Sequence, residues 1–324
     1  MNGPSARPDR IVILGPGAMG CGLSATLKQA DANVSLLDHR PERAKRLAAT
    51  GILVSRGTDW QTVRVPVTAW PADLAPADLL IVVVKAYSTD SAAAFAAPCV
   101  GPETLVLTLQ NGLGNWEILT QHFAPAQVLA GTIVMGCALQ DPGEVVISGM
   151  GAITLGSPVG LHSAAERAAA ILQLYWPDLL VDEHIEAALW RKAIINAAVN
   201  PLTALTGLPN GALLEDELLR ATLGALADEG NRVAEFCGLS PFAGVRPEQA
   251  AEQVCHVTGM NRSSMLQDVA ARRRTEIDQI CGAILRAAGR KGVKVPVLKT
   301  VTALVKGLER GYSQRNRRED SPAT

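Results

Sequence analysis

The chain has 324 residues, a formal net charge of −1, 48% hydrophobic residues and 19% charged residues. That length exceeds one ordinary core, so two domains are expected, and the apolar share excludes a disordered chain. Aromatics at 4% and a near-neutral charge exclude a base-stacking platform and any electrostatic pull toward nucleic acid or an anionic membrane.

Residues 1–9 read as a polar lead-in, without the apolar stretch of a secretory signal. The run 10-RIVILGPGAMG-20 reads as a buried strand ending in glycines. Next come a helix at 21-CGLSATLKQA-30 and a second buried strand at 33-NVSLLD-38. Pro41 is suited to a first helical position and opens a helix to about Ala49. Further strand-like runs are 79-LLIVVVK-85, 104-TLVLTLQ-110 and 128-VLAGTIVMGC-137, with helical runs near 88–97 and 114–122 between them. Strands alternating with helices predict a mostly parallel, doubly wound α/β sheet. The stretch 144-EVVISGMGAITLG-156 reads as an added hairpin turning near Gly149 and Gly151.

After about residue 183 the strand pattern ends, and only helical spacing is found from His184 to about Glu309. The expected organisation is therefore a dinucleotide-binding domain at 1–183, a helical domain at 184–310, and a polar tail at 311–324 without stable structure. No apolar run approaches the roughly 20 residues that span a bilayer. Cys21, Cys99, Cys137, Cys237, Cys255 and Cys281 form no CxxC pair and no zinc-spaced cluster. They read as small buried hydrophobes of a reducing, cytoplasmic compartment, and no metal site is expected.

Gly15, Gly17 and Gly20, with Ala18 and Met19 among them, form G-x-G-x-x-G at the end of a strand and the start of a helix. Asp38 closes the next strand, about where a dinucleotide-binding βαβ unit places its acidic residue. Gly15 permits the tight turn. Gly17 lets the backbone approach a pyrophosphate, and Gly20 lets helix and strand pack closely. The helix start offers N–H donors and the positive end of a dipole. Asp38 favours NADH, because a carboxylate bonds an adenosine ribose and repels a 2′-phosphate. His39, Arg40 and Arg43 follow at once, and an arginine here can hold that phosphate. The sequence leaves the two in conflict.

In 189-LWRKAIINAAVNPLTAL-205, Lys192, Asn196 and Asn200 recur every fourth residue. They span about 80° of a helix surface and make one polar stripe. A solvated helix edge would carry such a stripe, but it would mix Glu, Lys, Gln and Arg. Two asparagines, which are poor helix formers, point instead to a ligand. Pro201 is expected to end this helix. A ketone reductase needs a proton donor as charge builds on the carbonyl oxygen, and a partly desolvated lysine suits the task.

The chain resembles the ketopantoate reductase (2-dehydropantoate 2-reductase) family over about residues 10 to 310. The resemblance rests on 13-ILGPGAMG-20, 81-IVVVKAY-87, 109-LQNGLG-114, 190-WRKAIINAAVNPLTAL-205, 209-PNGAL-213 and 261-NRSSMLQDVAARRRTEID-278. It implies a Rossmann-type N-terminal domain and an all-α domain like the C-terminal domain of 6-phosphogluconate dehydrogenase. It also implies NADPH-dependent reduction of 2-dehydropantoate to pantoate by a monomer or homodimer, with this small keto acid held between the domains. By the resemblance, Lys192 is the general acid and Glu276 holds or positions the substrate hydroxyl. Asn111 touches cofactor and substrate, and Lys85 lies near the cofactor. Asn196, Asn200, Asn210, Asn261 and Ser264 line the substrate pocket. Asp38 stands where NADPH-using members carry basic residues, which leaves NADH open.

Ser264 and Glu276 would lie about 18 Å apart on one straight helix, too far for one small acid. A break between them is therefore expected. Thr275 is the candidate N-cap of the next helix and Asp278 its acidic partner, putting Glu276 in a first turn. A first-turn acidic preference would by itself explain a glutamate there. Two other readings keep the glycine loop: a related 2-keto-acid reductase or hydroxy-acid dehydrogenase, and a dinucleotide sensor without catalysis. The 3-hydroxy-acid enzymes place glycines just before their lysine, and 186-EAALWRK-192 has none. A sensor would have a degraded Lys192–Asn196–Glu276 set, and here all three are present.

Overall fold

The computed structural model describes residues 9–319, with side chains as far as Tyr312. Most of the polar lead-in and residues 320–324 lie outside that range. The chain divides into two compact units. One holds residues up to Gln110 and Asn115–Ile185; the other holds Asn111–Gly114 and the chain from Glu186 on.

The first unit runs β1 (Ile11–Leu14), α1 (Ala18–Gln29), β2 (Val34–Leu37), α2 (Pro41–Thr50), β3 (Ile52–Arg56), β4 (Asp59–Val63), β5 (Val67–Thr68), β6 (Leu79–Val82), α3 (Thr89–Ala96), β7 (Leu105–Thr108), α4 (Asn115–Leu119), β8 (Val128–Asp141), β9 (Glu144–Gly156), α5 (His162–Gln173) and β10 (Leu179–Val181). Every residue of β1, β6 and β7 is buried, which an apolar strand achieves only when both sheet faces are covered. Alternate side chains serve opposite faces. Ile11 and Ile13 join Leu23 and Leu27 of α1 in one core. Val12 and Leu14 join Ala93 of α3 and Leu119 of α4 in another.

The sheet order is β4-β3-β9-β8-β7-β6-β1-β2-β5, with β10 also beside β9. Strands β8, β7, β6, β1 and β2 pair in parallel, as expected from sequence, and β5 adds a further parallel strand beside β2. β1 lies between β2 and β6, so the winding reverses there. Loops leaving the carboxyl ends of β1 and β6 diverge and open a crevice, where ligands of such sheets bind.

The added hairpin is placed differently from the sequence reading. Glu144–Gly156 is one strand, and it pairs antiparallel with β8 across a turn at Pro142 and Gly143. Gly149 and Gly151 sit inside that strand, near register irregularities. The β3–β4 hairpin, β5, α5 and β10 were not anticipated.

The second unit is helical: α6 (Ile185–Thr206), α7 (Glu217–Phe236), α8 (Pro247–Val257), α9 (Ser264–Ala270), α10 (Cys281–Lys291) and α11 (Pro296–Glu319). Its core includes Ile194, Ala197 and Ala198 of α6, Leu226 of α7 and Ile284 of α10. Pro201 does not end α6, which runs on to Thr206. An interior proline frees the carbonyl four residues back. Here that carbonyl is Ala197's, and the Cys281 thiol lies 3.9 Å from it as donor. Burial pushes that thiol up to about 12, so it keeps its hydrogen.

The break between Ser264 and Glu276 is present, but Glu276 is in no helix. It lies in the turn before α10, whose N-cap is Ile280. Thr275 caps only that turn, its Oγ1 accepting from Ile277 N–H at 3.2 Å. The tail is a further correction, since α11 stays helical to Glu319. Tyr312 is buried and its hydroxyl donates to the Arg273 carbonyl at 2.6 Å, which anchors a segment whose composition alone reads as unstructured. Among the described residues, no helix is long and apolar enough to cross a membrane.

Candidate active site

The glycine loop joins β1 to α1. Gly15 has φ +111° and donates its N–H to the Leu37 carbonyl at 3.0 Å, tying the loop to the end of β2. Gly20 packs so closely on the Gly15 carbonyl that a Cβ there would collide with it. Gly17, the N-cap of α1, is exposed, and a Cβ on it would meet nothing within 4 Å. Ala18 and Met19 open the helix half-buried, and its first turn carries no acid. Uncapped N–H donors, a positive dipole end and open space at Gly17 fit a dinucleotide pyrophosphate.

Asp38 follows β2 and is fully buried. Its carboxylate accepts from Arg43 Nε at 2.5 Å, from Nη2 of the same guanidinium at 2.7 Å and from Arg40 N–H at 3.0 Å. This bidentate pair neutralises the acid where it stands. Hydrogen bonding to Asp38 holds the Arg43 guanidinium above its ordinary range. His39 and Arg40 are exposed beside it. Lys85 follows β6, half-buried, and caps a short turn by accepting Ser88 N–H at 2.8 Å. Gly15, Asp38 and Lys85 thus leave the carboxyl ends of β1, β2 and β6.

In the second unit, Lys192 and Asn196 are half-buried and Asn200 is only 6% exposed. A solvated edge would leave Asn200 in water, so the stripe enters the unit. Arg191 is off the stripe and exposed, its guanidinium 5.6 Å from the Phe242 ring. Burial lowers Lys192 to about 8, and the nearby Glu276 carboxylate pulls it part of the way back up. Glu276 is itself 5% exposed.

Asn210 donates its N–H to the Asn261 carbonyl at 3.0 Å and its Nδ2 to Thr258 Oγ1 at 2.8 Å. The Thr258 hydroxyl gives its own hydrogen to the Val254 carbonyl, which fixes the amide's orientation. Asn210 Oδ1 is left buried with no partner among the described residues. Buried acceptors are rarely left so, which suits a ligand hydroxyl. Asn261 is exposed and enters this arrangement through its carbonyl. Ser264 opens α9 half-buried, directly after the true N-cap, Ser263. Asn111 stands beside Gly112, which has φ +85°, and Leu113 N–H donates to the Gln279 carbonyl at 2.9 Å. The Asn111 loop therefore docks on the turn that carries Glu276.

Residues 11–160 match the model of ketopantoate reductase PanE/ApbA, and residues 184–309 match its C-terminal model. The chain belongs to the ketopantoate reductase family. It is 37% identical to a 2-dehydropantoate 2-reductase of Halobacterium salinarum, over 93% of this chain and 99% of the relative. A 2-dehydropantoate 2-reductase of Archaeoglobus fulgidus is 35% identical, over 94% of this chain and 99% of the relative. The crystal structure of a PanE/ApbA family ketopantoate reductase from Ralstonia eutropha JMP134 superposes with a TM-score of 0.82 at 29% identity. That superposition covers 93% of this chain and 99% of that one.

Two sets of residues in this ketopantoate reductase chain were missed in the sequence. Gln110 is buried, donates to the Val84 carbonyl and Thr89 Oγ1, both at 2.9 Å, and accepts from Thr108 at 2.9 Å. It braces the loops after β6 and β7 against each other. Thr203, fully buried in α6, lies 2.6 Å from Ser263 Oγ and donates to the Asn200 carbonyl at 2.9 Å. This links the stripe to the start of α9. Only the spacing of Thr203 from Asn200 hinted at it, because the Ser263 contact spans 60 residues.

Proposed function

We propose that this chain reduces 2-dehydropantoate to pantoate with a nicotinamide dinucleotide, Lys192 serving as the proton donor. The observation that carries this reading is the Lys192 amine, brought by burial to about 8 beside Glu276 in a chain of this family. When bound, the dinucleotide supplies a hydride to the carbonyl carbon. Lys192 Nζ passes a proton to the oxygen as charge builds there. Near neutral pH the amine is still protonated and gives up that proton more readily than an ordinary lysine. Asn196 and Asn200 orient amine and substrate without adding charge. Glu276 and the free acceptor of Asn210 suit a substrate hydroxyl. The glycine loop and Lys85 hold the dinucleotide, with Asn111 reaching both ligands.

The cofactor we propose is NADPH. A bare Asp38 carboxylate would repel a 2′-phosphate, but here Arg43 neutralises it. The exposed Arg40 beside it, which makes no ion pair among the described residues, then supplies a positive charge. Initial rates measured in parallel should favour NADPH over NADH. Arg40→Ala should lower kcat/KM for NADPH about tenfold or more, the worth of one charge-assisted hydrogen bond, and leave NADH nearly unchanged. A wild-type preference for NADH would overturn the cofactor assignment. Turnover of other 2-keto acids but not ketopantoate would move the substrate and leave the lysine chemistry in place.

A further inference from the structure

We infer that Glu309, near the middle of α11, is a positioning residue for Glu276, acting through Thr275. The inference rests on the role given to Glu276 above. Glu276 sits in a turn, so no helical ladder fixes its backbone, and the turn needs anchors from elsewhere. Glu309 supplies the main one. Its Oε1 accepts both the N–H and the hydroxyl of Thr275, each at 2.7 Å. Thr275 is 1% exposed, so neither donor has water to fall back on. The same Thr275 oxygen accepts from Ile277 N–H, which locks the residue on the other side of Glu276. The Glu276 carbonyl then receives Gln279 N–H at 3.1 Å and Ile280 N–H at 3.0 Å.

The anchoring is repeated along α11. Lys306 Nζ lies 2.5 Å from Asp278 Oδ1, and Tyr312 donates to the Arg273 carbonyl. Lys306, Glu309 and Tyr312 recur every third residue, so they share one side of the helix. They meet the turn at 278, 275 and 273, on either side of Glu276. A half-buried carboxylate that accepts two hydrogen bonds from a buried residue is hard to replace, because its loss strands both donors. The turn would then relax, and Glu276 would leave the place from which it meets Lys192 and the substrate.

The test is steady-state kinetics with NADPH and ketopantoate on the full chain. Glu309→Ala should raise KM for ketopantoate about tenfold or more, with the dissociation constant for NADPH unchanged. Glu309→Gln keeps an acceptor oxygen and should recover most of that loss. A double-mutant cycle with Glu276→Gln separates positioning from plain stability. If Glu309 acts through Glu276, the double variant loses no more than Glu276→Gln alone. Losses that multiply, or an unchanged KM in Glu309→Ala, overturn the inference. Should Glu309→Ala fail to fold, Thr275→Val carries the same cycle, and Thr275→Ser should restore activity. An unchanged KM in Glu276→Gln sinks the substrate role of Glu276 and this inference with it. A raised KM there beside a silent Glu309→Ala removes this inference alone.

Discussion

Lys192→Ala is expected to lower kcat for ketopantoate about 10²- to 10⁴-fold, the usual worth of a positioned general acid, and to leave the dissociation constant for the dinucleotide unchanged. The two measurements separate because the glycine loop and Lys192 lie in different units of the chain. Lys192→Arg should not restore turnover, since a guanidinium holds its proton too tightly to donate it. The wild-type pH profile gives a second arm. An acid works only while protonated, and burial brings this amine to about 8. Reductive kcat/KM should therefore hold steady below pH 8 and fall above it, approaching tenfold per pH unit. A profile flat to pH 10, or equal losses in turnover and nucleotide binding, would remove Lys192 from the proton step.

Gly20→Ala is expected to unfold or severely weaken the first unit. Its new Cβ would meet the Gly15 carbonyl, which is backbone and cannot swing aside. Either α1 shifts off the sheet or the loop abandons its bond to Leu37. The cost is about 3 kcal/mol or more, in the range of overpacked core sites. Gly17→Ala is the control. Gly17 has ordinary φ of −78° and open space around it, so the fold should persist within about 0.5 kcal/mol. Nucleotide affinity should still fall, because the methyl group enters the path of the pyrophosphate. Denaturant midpoints and nucleotide titrations on both variants distinguish the two roles. Equal stability losses would show that Gly17 also serves packing.

Features governed by local chemistry were legible in the sequence. The glycine loop was, because each glycine answers a constraint within a few residues. The Lys192–Asn196–Asn200 stripe was, because helical spacing is periodic and its amides are unusual there. The errors arose where a distant partner decides the outcome. Pro201 should break a helix, yet Cys281 comes from 84 residues away to face the freed carbonyl. Residues 311 onward look too polar to fold, yet the Tyr312 hydroxyl finds Arg273, 39 residues back. Gly149 and Gly151 mimic a turn, while Pro142 and Gly143 make it. The β3–β4 hairpin escaped notice because β4 exposes four of its five residues and lacks the apolar alternation of a half-buried strand.

The short segment Asn111–Gly114 is encoded between two stretches of the sheet unit, yet it packs with the helices. A side chain at Gly112 would come within 2.5 Å of the Gln279 carbonyl oxygen, so the fit is specific to this pair of surfaces. For recombination, the two halves of the gene are therefore not interchangeable cassettes. A hybrid spliced near residue 185 from two family members would carry one parent's loop onto the other parent's helices. Crossovers that respect the chemistry must move those four residues with the C-terminal half, and lineages that trade whole halves would need to keep a glycine at position 112, because the atom it meets is backbone.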